Sequence, residues 1–184
     1  MKKALLLLLL LVLVTIGYSQ GKLNEVLPLQ NGKVIYTAVV AVDSAKKSEL
    51  YDRAERWLVE EYKSPKDVIQ LDDREIGEII GKGYFPTTYQ FWFLEPATKV
   101  SVYHTIKISV KDGRYKYAIT DLDCKWFFRA SMFAPPSHNA QNIEEFLDGR
   151  KKDAKKYDKG VDEQIQSIIK SLKKFMATPA NSDW

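Results

Sequence analysis

The run from Lys99 to Val110, KVSVYHTIKISV, alternates without a break and leads straight into Lys111-Asp112-Gly113-Arg114. Val100, Val102, His104, Ile106, Ile108 and Val110 fall on one face, and Ser101, Tyr103, Thr105, Lys107 and Ser109 on the other. So long a period of two describes a strand with one buried face, and Asp-Gly after it is a strong hairpin signal. A two-residue turn pairs Lys111 with Arg114. Counting outward then sets Val110 opposite Tyr115, Ile108 opposite Tyr117, Ile106 opposite Ile119 and His104 opposite Asp121. A slip of one residue would set Ile108 against Lys116, so the apolar matches select this register, with a second strand from Arg114 to about Cys124. A sheet with one apolar face must be covered by another layer.

The flanking segments supply that layer. Lys33 to Asp43, KVIYTAVVAVD, is β-branched and aromatic and reads as a strand largely buried on both faces. Asp43-Ser44 offers capping side chains, and Leu50, Tyr51, Ala54, Trp57, Leu58 and Tyr62 recur at helical spacing until Ser64-Pro65. Val68 to Asp72, a turn at Asp73-Arg74 and a strand from Glu78 to Phe85 follow, then an aromatic-rich connection from Pro86 to Thr98. Beyond Cys124, Pro135-Pro136 breaks the chain and Asn142 caps a short helix carrying Ile143, Phe146 and Leu147. Val161, Ile165, Ile168, Ile169, Leu172, Phe175 and Met176 form one stripe of a long helix ending before Pro179. The expected order is strand, helix, four antiparallel strands, helix: an α+β domain with its helices on one face of the sheet.

Gly77 to Phe85, GEIIGKGYF, superficially resembles a phosphate-binding loop. That loop needs G-x-x-x-x-G-K-[ST] opening a helix. Here the glycine spacing is one residue short, Gly83 stands where the hydroxyl should be, and a β-prone run follows. Gly81 and Gly83 instead mark a bulge, a bend or a close backbone approach within a strand.

Met1-Lys2-Lys3, an apolar run from Ala4 to Ile16 broken only by Thr15, and Gly17-Tyr18-Ser19-Gln20 read as a secretory signal cleaved after Ser19. The run is shorter than the roughly twenty residues that span a bilayer, and no second apolar segment follows. Loss of residues 1–19 leaves 165, one domain's worth, with 26 basic against 24 acidic residues. That balance argues against a strongly charged partner. Cys124 is the only cysteine, so no internal disulfide forms, which suits a bacterial envelope better than a small eukaryotic extracellular domain. The expected address is the periplasm or the outer membrane, with release outside the cell as the other option.

VIYTAVVAV followed by SELYDRAERWL, the later IGEIIGKG, the hairpin ISVKDGRYKYAITDL and the C-terminal helix together resemble a family of exported bacterial proteins. It is described as a domain of unknown function with a TATA-binding-protein-like (TBP-like) fold. The resemblance covers about Gly32 to Met176 and implies architecture and an envelope location without an activity. The domain organisation is then a signal at 1–19, a flexible arm at 20–31 in which Leu27 to Leu29 can touch the core, one TBP-like domain at 32–177, and a tail at 178–184.

His104 opposite Asp121 is the one pair that could be a tuned acid/base unit, although no nucleophile accompanies it. A structural cross-strand hydrogen bond is the competing reading. His104, His138 and Cys124 lack ligand spacing, and Asp121-Leu122-Asp123 lacks the EF-hand pattern, so no metal or cofactor is expected. GRKKDAKKYDK, Gly149 to Lys159, reads as a solvated helix face or linker. Nucleic acid is not an expected partner, because the outer sheet face shows no basic stripe with wedging aromatics beyond Lys107, Lys111, Arg114 and Lys116.

Two aromatic clusters remain: Tyr89, Phe91, Trp92 and Phe93, and Trp126, Phe127, Phe128 and Phe133. Buried, they are core; exposed, they mark a ligand groove or partner surface. The leading expectation is a non-catalytic envelope module that binds a small apolar ligand, a peptide or an envelope protein. It would do so between sheet and C-terminal helix or through these aromatics. The alternatives are a hydrolase using His104 and Asp121, and a structural partner in an envelope complex.

Overall fold

The computed structural model describes residues 21–23, 26–62, 68–91, 97–130, 135–148 and 154–178. The signal segment, Trp92, Phe93, Phe133 and the first five residues of the basic stretch at 149–159 lie outside them. The strands are β1 (Gly21–Leu23), β2 (Leu27–Gln30), β3 (Lys33–Val34), β4 (Tyr36–Ala41), β5 (Ile69–Asp73), β6 (Glu78–Tyr89), β7 (Thr98–Lys111), β8 (Arg114–Phe128) and β9 (Ser137–Asn142). The helices are α1 (Lys47–Tyr62), α2 (Ile143–Asp148) and α3 (Ala154–Ala177).

β4 to β8 form an antiparallel sheet in the order β4-β8-β7-β6-β5, and β9 also pairs with β8. β1, β2 and β3 form a separate three-stranded sheet, which carries the fully buried Leu27. The Asp-Gly hairpin has the register read from its alternation, from Lys111 with Arg114 to Ile106 with Ile119. All six apolar-face residues of β7 are buried, including His104. Asp112 also accepts a hydrogen bond from the Lys47 amide at 2.7 Å, so the hairpin turn, and not Asp43-Ser44, caps α1.

Beyond Ile119 the register changes. Tyr103 pairs with Asp123 and Thr105 with Thr120, so one extra residue of β8 bulges between them. Asp121 sits there in a left-handed conformation, with φ of 53°. The bulge switches the buried set of β8 from Tyr115, Tyr117 and Ile119 to Leu122, Cys124 and Trp126. It also separates the β8 residues paired with β4 (114–119) from those paired with β9 (123–128) along the same edge.

Three other expectations are corrected. β4 is an edge strand, with Val39 62% exposed, because β8 is its only neighbour in the sheet. β6 continues through Pro86 to Tyr89; β5 leaves it at Gly81, so a residue without an N–H costs nothing on that open side. Ser137–Asn142 is a strand despite its polar composition, because it completes the free edge of β8.

The helices lie on the apolar face of the sheet. Leu50, Tyr51, Ala54, Trp57 and Leu58 of α1 and Val161, Ile165, Ile168, Ile169, Leu172 and Met176 of α3 are buried there with Ile79, Ile106, Ile108 and Ile119. Trp57 Nε1 donates to Ser171 Oγ at 3.1 Å, and Ser171 Oγ to Glu61 at 2.6 Å, joining the two helices. Buried Arg53 donates to the Met176 carbonyl at 2.5 Å and pairs with Glu49, which satisfies an orphan acceptor at the end of α3. Asn142 caps α2 as expected, accepting from the Glu145 amide at 2.9 Å.

Candidate functional site

His104 is buried at the centre of the inner face, with its Nε2 2.7 Å from the Tyr62 hydroxyl. Gly83 pairs with His104 across β6 and β7. A Cβ at Gly83 would lie 2.1 Å from the Tyr62 ring, so the missing side chain is what admits that ring beside the imidazole. Phe85 packs against His104 at 5.8 Å. Burial depresses the His104 pKa to about 4, with the Val102 backbone pulling the other way, and burial raises that of Tyr62. Near neutral pH the pair is therefore an uncharged hydrogen-bonded unit. Asp121 is exposed at the bulge, where it accepts from the Thr120 hydroxyl at 3.0 Å. The expected His104–Asp121 pair is not formed, since the extra residue in β8 removes Asp121 from the facing position.

The aromatic candidates divide by face. Tyr89 and Trp126 are buried, Phe91 and Phe128 half-buried, and all four join Phe146 and Tyr157 in a ring cluster at centroid distances of 4.9 to 6.5 Å. This is core, closing one end of the sheet under α2 and α3. Phe127, one position out of phase, points the other way; it is 43% exposed and lies 4.6 Å from the His138 ring.

That opposite face carries a surface the sequence reading did not assemble. Tyr84 of β6 pairs with Tyr103 of β7; their rings stack at 5.2 Å and are 57% and 37% exposed. Lys125 of β8 places its ammonium 4.1 Å from the Tyr103 ring centre. Lys82 and Lys99 are exposed on the same face, with Asp123 as the acid beside the tyrosines. Nearer the hairpin turn, Lys107 pairs with Glu78 at 2.7 Å and, aided by Ser109, holds that carboxyl below its usual range. Tyr103 was legible in the sequence as an aromatic on the polar side of an alternating strand. Tyr84 was concealed by the glycines beside it, and Lys125 and Phe127 by the bulge.

Two clefts open elsewhere. One of about 350 Å³ lies between β2, β4 and α3 and is lined by Tyr36, Thr37, Tyr117, Asp162 and Gln166 among others. In it the Tyr36 hydroxyl donates to Asp162 at 2.8 Å, and burial first, then that carboxylate, raises the Tyr36 pKa. A second, about 550 Å³, runs along the solvent side of α1 between Asp52 and Glu60. Among the described residues no group of three or more His, Cys, Asp or Glu side chains could hold a metal ion, and no helix is long and apolar enough to cross a membrane.

Residues 36–125 match the model of a family described as a domain of unknown function (DUF4468) with TBP-like fold. A crystal structure of a DUF4468 family protein from Bacteroides ovatus superposes with a TM-score of 0.62 at 17% identity, covering 85% of this chain and 93% of that one. A TBP-like protein from Parabacteroides distasonis gives a TM-score of 0.64 at 15% identity, covering 83% and 98%. Both share its fold. No curated protein matches the chain.

Proposed function

We propose that this chain is an exported, non-catalytic binding module that engages an extended partner with the open face of its sheet. The carrying observation is the exposed Tyr84–Tyr103–Lys125 stack at the centre of a layer whose other face is fully packed. Exposed aromatics on a rigid sheet are positioned anchors, because their rotamer freedom is already spent in stacking. The centre of the space between sheet and helices, by contrast, is filled by residues such as Trp57, Leu58, Ile106 and Ile165, each at most 1% exposed, and the cleft at its edge is lined by polar groups of Thr37, Asp162 and Gln166, which suit a small apolar ligand poorly. The apolar run after Met1-Lys2-Lys3 supports export, and an envelope location would bring this face to wall or membrane components.

A photo-crosslinking side chain placed at Tyr84, with the equally exposed Ile76 of the β5–β6 turn as control, tests the reading in intact cells. Adducts are expected at position 84 and not at 76. Equal labelling of both positions, or of neither, would overturn it.

A further inference from the structure

The identity of that partner follows from how the rings stand, and the inference rests on the open face being the binding surface. Tyr84 covers one side of the Tyr103 ring and the Lys125 ammonium lies over the ring as well. Phe127 and His138 likewise turn faces towards each other, at 38° between planes. A ligand laid across this face therefore meets ring edges and phenolic hydroxyls together with the outer side of Tyr84. Ring edges carry the positive end of the aromatic quadrupole, and the hydroxyls donate hydrogen bonds.

The surrounding charge is positive on balance, with Lys82, Lys99 and Lys125 against Asp121 and Asp123. Strand register places Lys82 beside Thr105, one outward step from the tyrosines on one side, and Ser101 beside Lys125, one step on the other; Lys99 follows. Outward steps are about 7 Å along a strand and about 4.8 Å between strands, so these ammonium groups span a band rather than a point. Asp123 lies within the band, and Asp121, exposed at the bulge beside Thr120, is a second acid at the end that carries Lys82. Each cation can move on its stem, while Lys125 is held against a ring, which suits repeated carboxylates along a chain better than one fixed anion.

We infer that the face binds an acidic polysaccharide, a chain of uronate-type sugars whose carboxylates meet Lys82, Lys99 and Lys125 and whose hydroxyls meet Tyr84, Tyr103 and Ser101. A protein partner would need a pocket for apolar anchors, and lysine is depleted at the centre of such interfaces. Both clefts lie elsewhere. A lipid surface would need a contiguous apolar set able to enter the acyl boundary, and among the described residues the exposed apolar side chains of this face, Val39, Leu71 and Phe127, lie apart on β4, β5 and β8.

The test is titration of the mature protein, at low and at physiological salt, with oligogalacturonate. Comparators are a neutral maltooligosaccharide, phosphatidylglycerol vesicles and an oligothymidylate. The acidic sugar is expected to bind, to weaken with salt, and to lose about tenfold in affinity in each of Lys82→Ala/Lys125→Ala and Tyr84→Ala/Tyr103→Ala, about 1.4 kcal/mol. Circular dichroism and thermal unfolding should match the parent, as these side chains are exposed. Binding of the neutral sugar, the vesicles or the oligonucleotide as tight as that of oligogalacturonate would overturn the assignment. If oligogalacturonate does not bind while Tyr84 still crosslinks in cells, the polysaccharide fails and the binding face stands. Binding untouched by both double variants, with no crosslink at Tyr84, would overturn both.

Discussion

Gly83 and His104 form one device. The glycine admits the Tyr62 ring, and the ring's hydroxyl bonds Nε2 of the buried imidazole. Gly83→Ala forces the ring out and should cost about 1–3 kcal/mol, the range for overpacking. In urea unfolding the double variant with Tyr62→Ala should be far less than additive, because the clash vanishes with the ring. The imidazole also sets a pH dependence. Its folded pKa of about 4 lies below the usual 6.5, so the unfolded chain binds the extra proton between those values. Its contribution is thus fully present above pH 6.5 and is lost as pH falls towards 4, about 3 kcal/mol in all. Unfolding titrations across that window should show the slope, and His104→Gln should flatten it. None of this pairing was visible in the sequence, since Tyr62 reads as one more position of a helical stripe and Gly83 as a generic strand glycine.

At the scale of elements, the alternating strand and its turn residues fixed β7, the hairpin and the apolar faces of α1 and α3 from sequence alone, because each has an unambiguous period. The rest was hidden where a strand's surroundings, not its composition, decide its place. KVIYTAVVAVD has the composition of a central strand and lies at an edge, and SHNAQN has none of a strand's composition yet pairs along six residues of β8. The bulge left a trace that counting pairs passed over: the apolar parity of β8 changes between Ile119 and Leu122. Asp121, at positive φ, is the residue that absorbs it. Asp121→Gly should therefore raise stability by up to about 1 kcal/mol by removing left-handed strain. Deleting the residue should leave a folded chain with a regular β8, because Leu122 then stands opposite His104 and Leu122, Cys124 and Trp126 keep their inward face. Chemical denaturation of the substitution and a one-dimensional proton spectrum of the deletion would check the pair.

For the whole molecule, the α+β fold class was legible because the hairpin and helical stripes pin down the layers, and the TBP-like architecture through the family resemblance of those segments. The proposed binding face was not, because it is built from single outward positions on β6, β7, β8 and β9 that no linear pattern unites. The export reading makes its own prediction: the chain recovered from its native host should have the mass of residues 20–184, and the full-length mass in the mature pool would contradict cleavage after Ser19.

Long-range ties run from the front of the chain to its end. The Val34 amide donates to Glu144, the Tyr36 hydroxyl to Asp162 and Arg53 to the Met176 carbonyl, and both β4 and β9 wait on β8. Such contacts close large loops, which slows folding until nearly the whole chain is available. A ribosome would therefore release most of this polypeptide before a native core could shut, so the topology itself would keep the nascent chain threadable for the export proposed above.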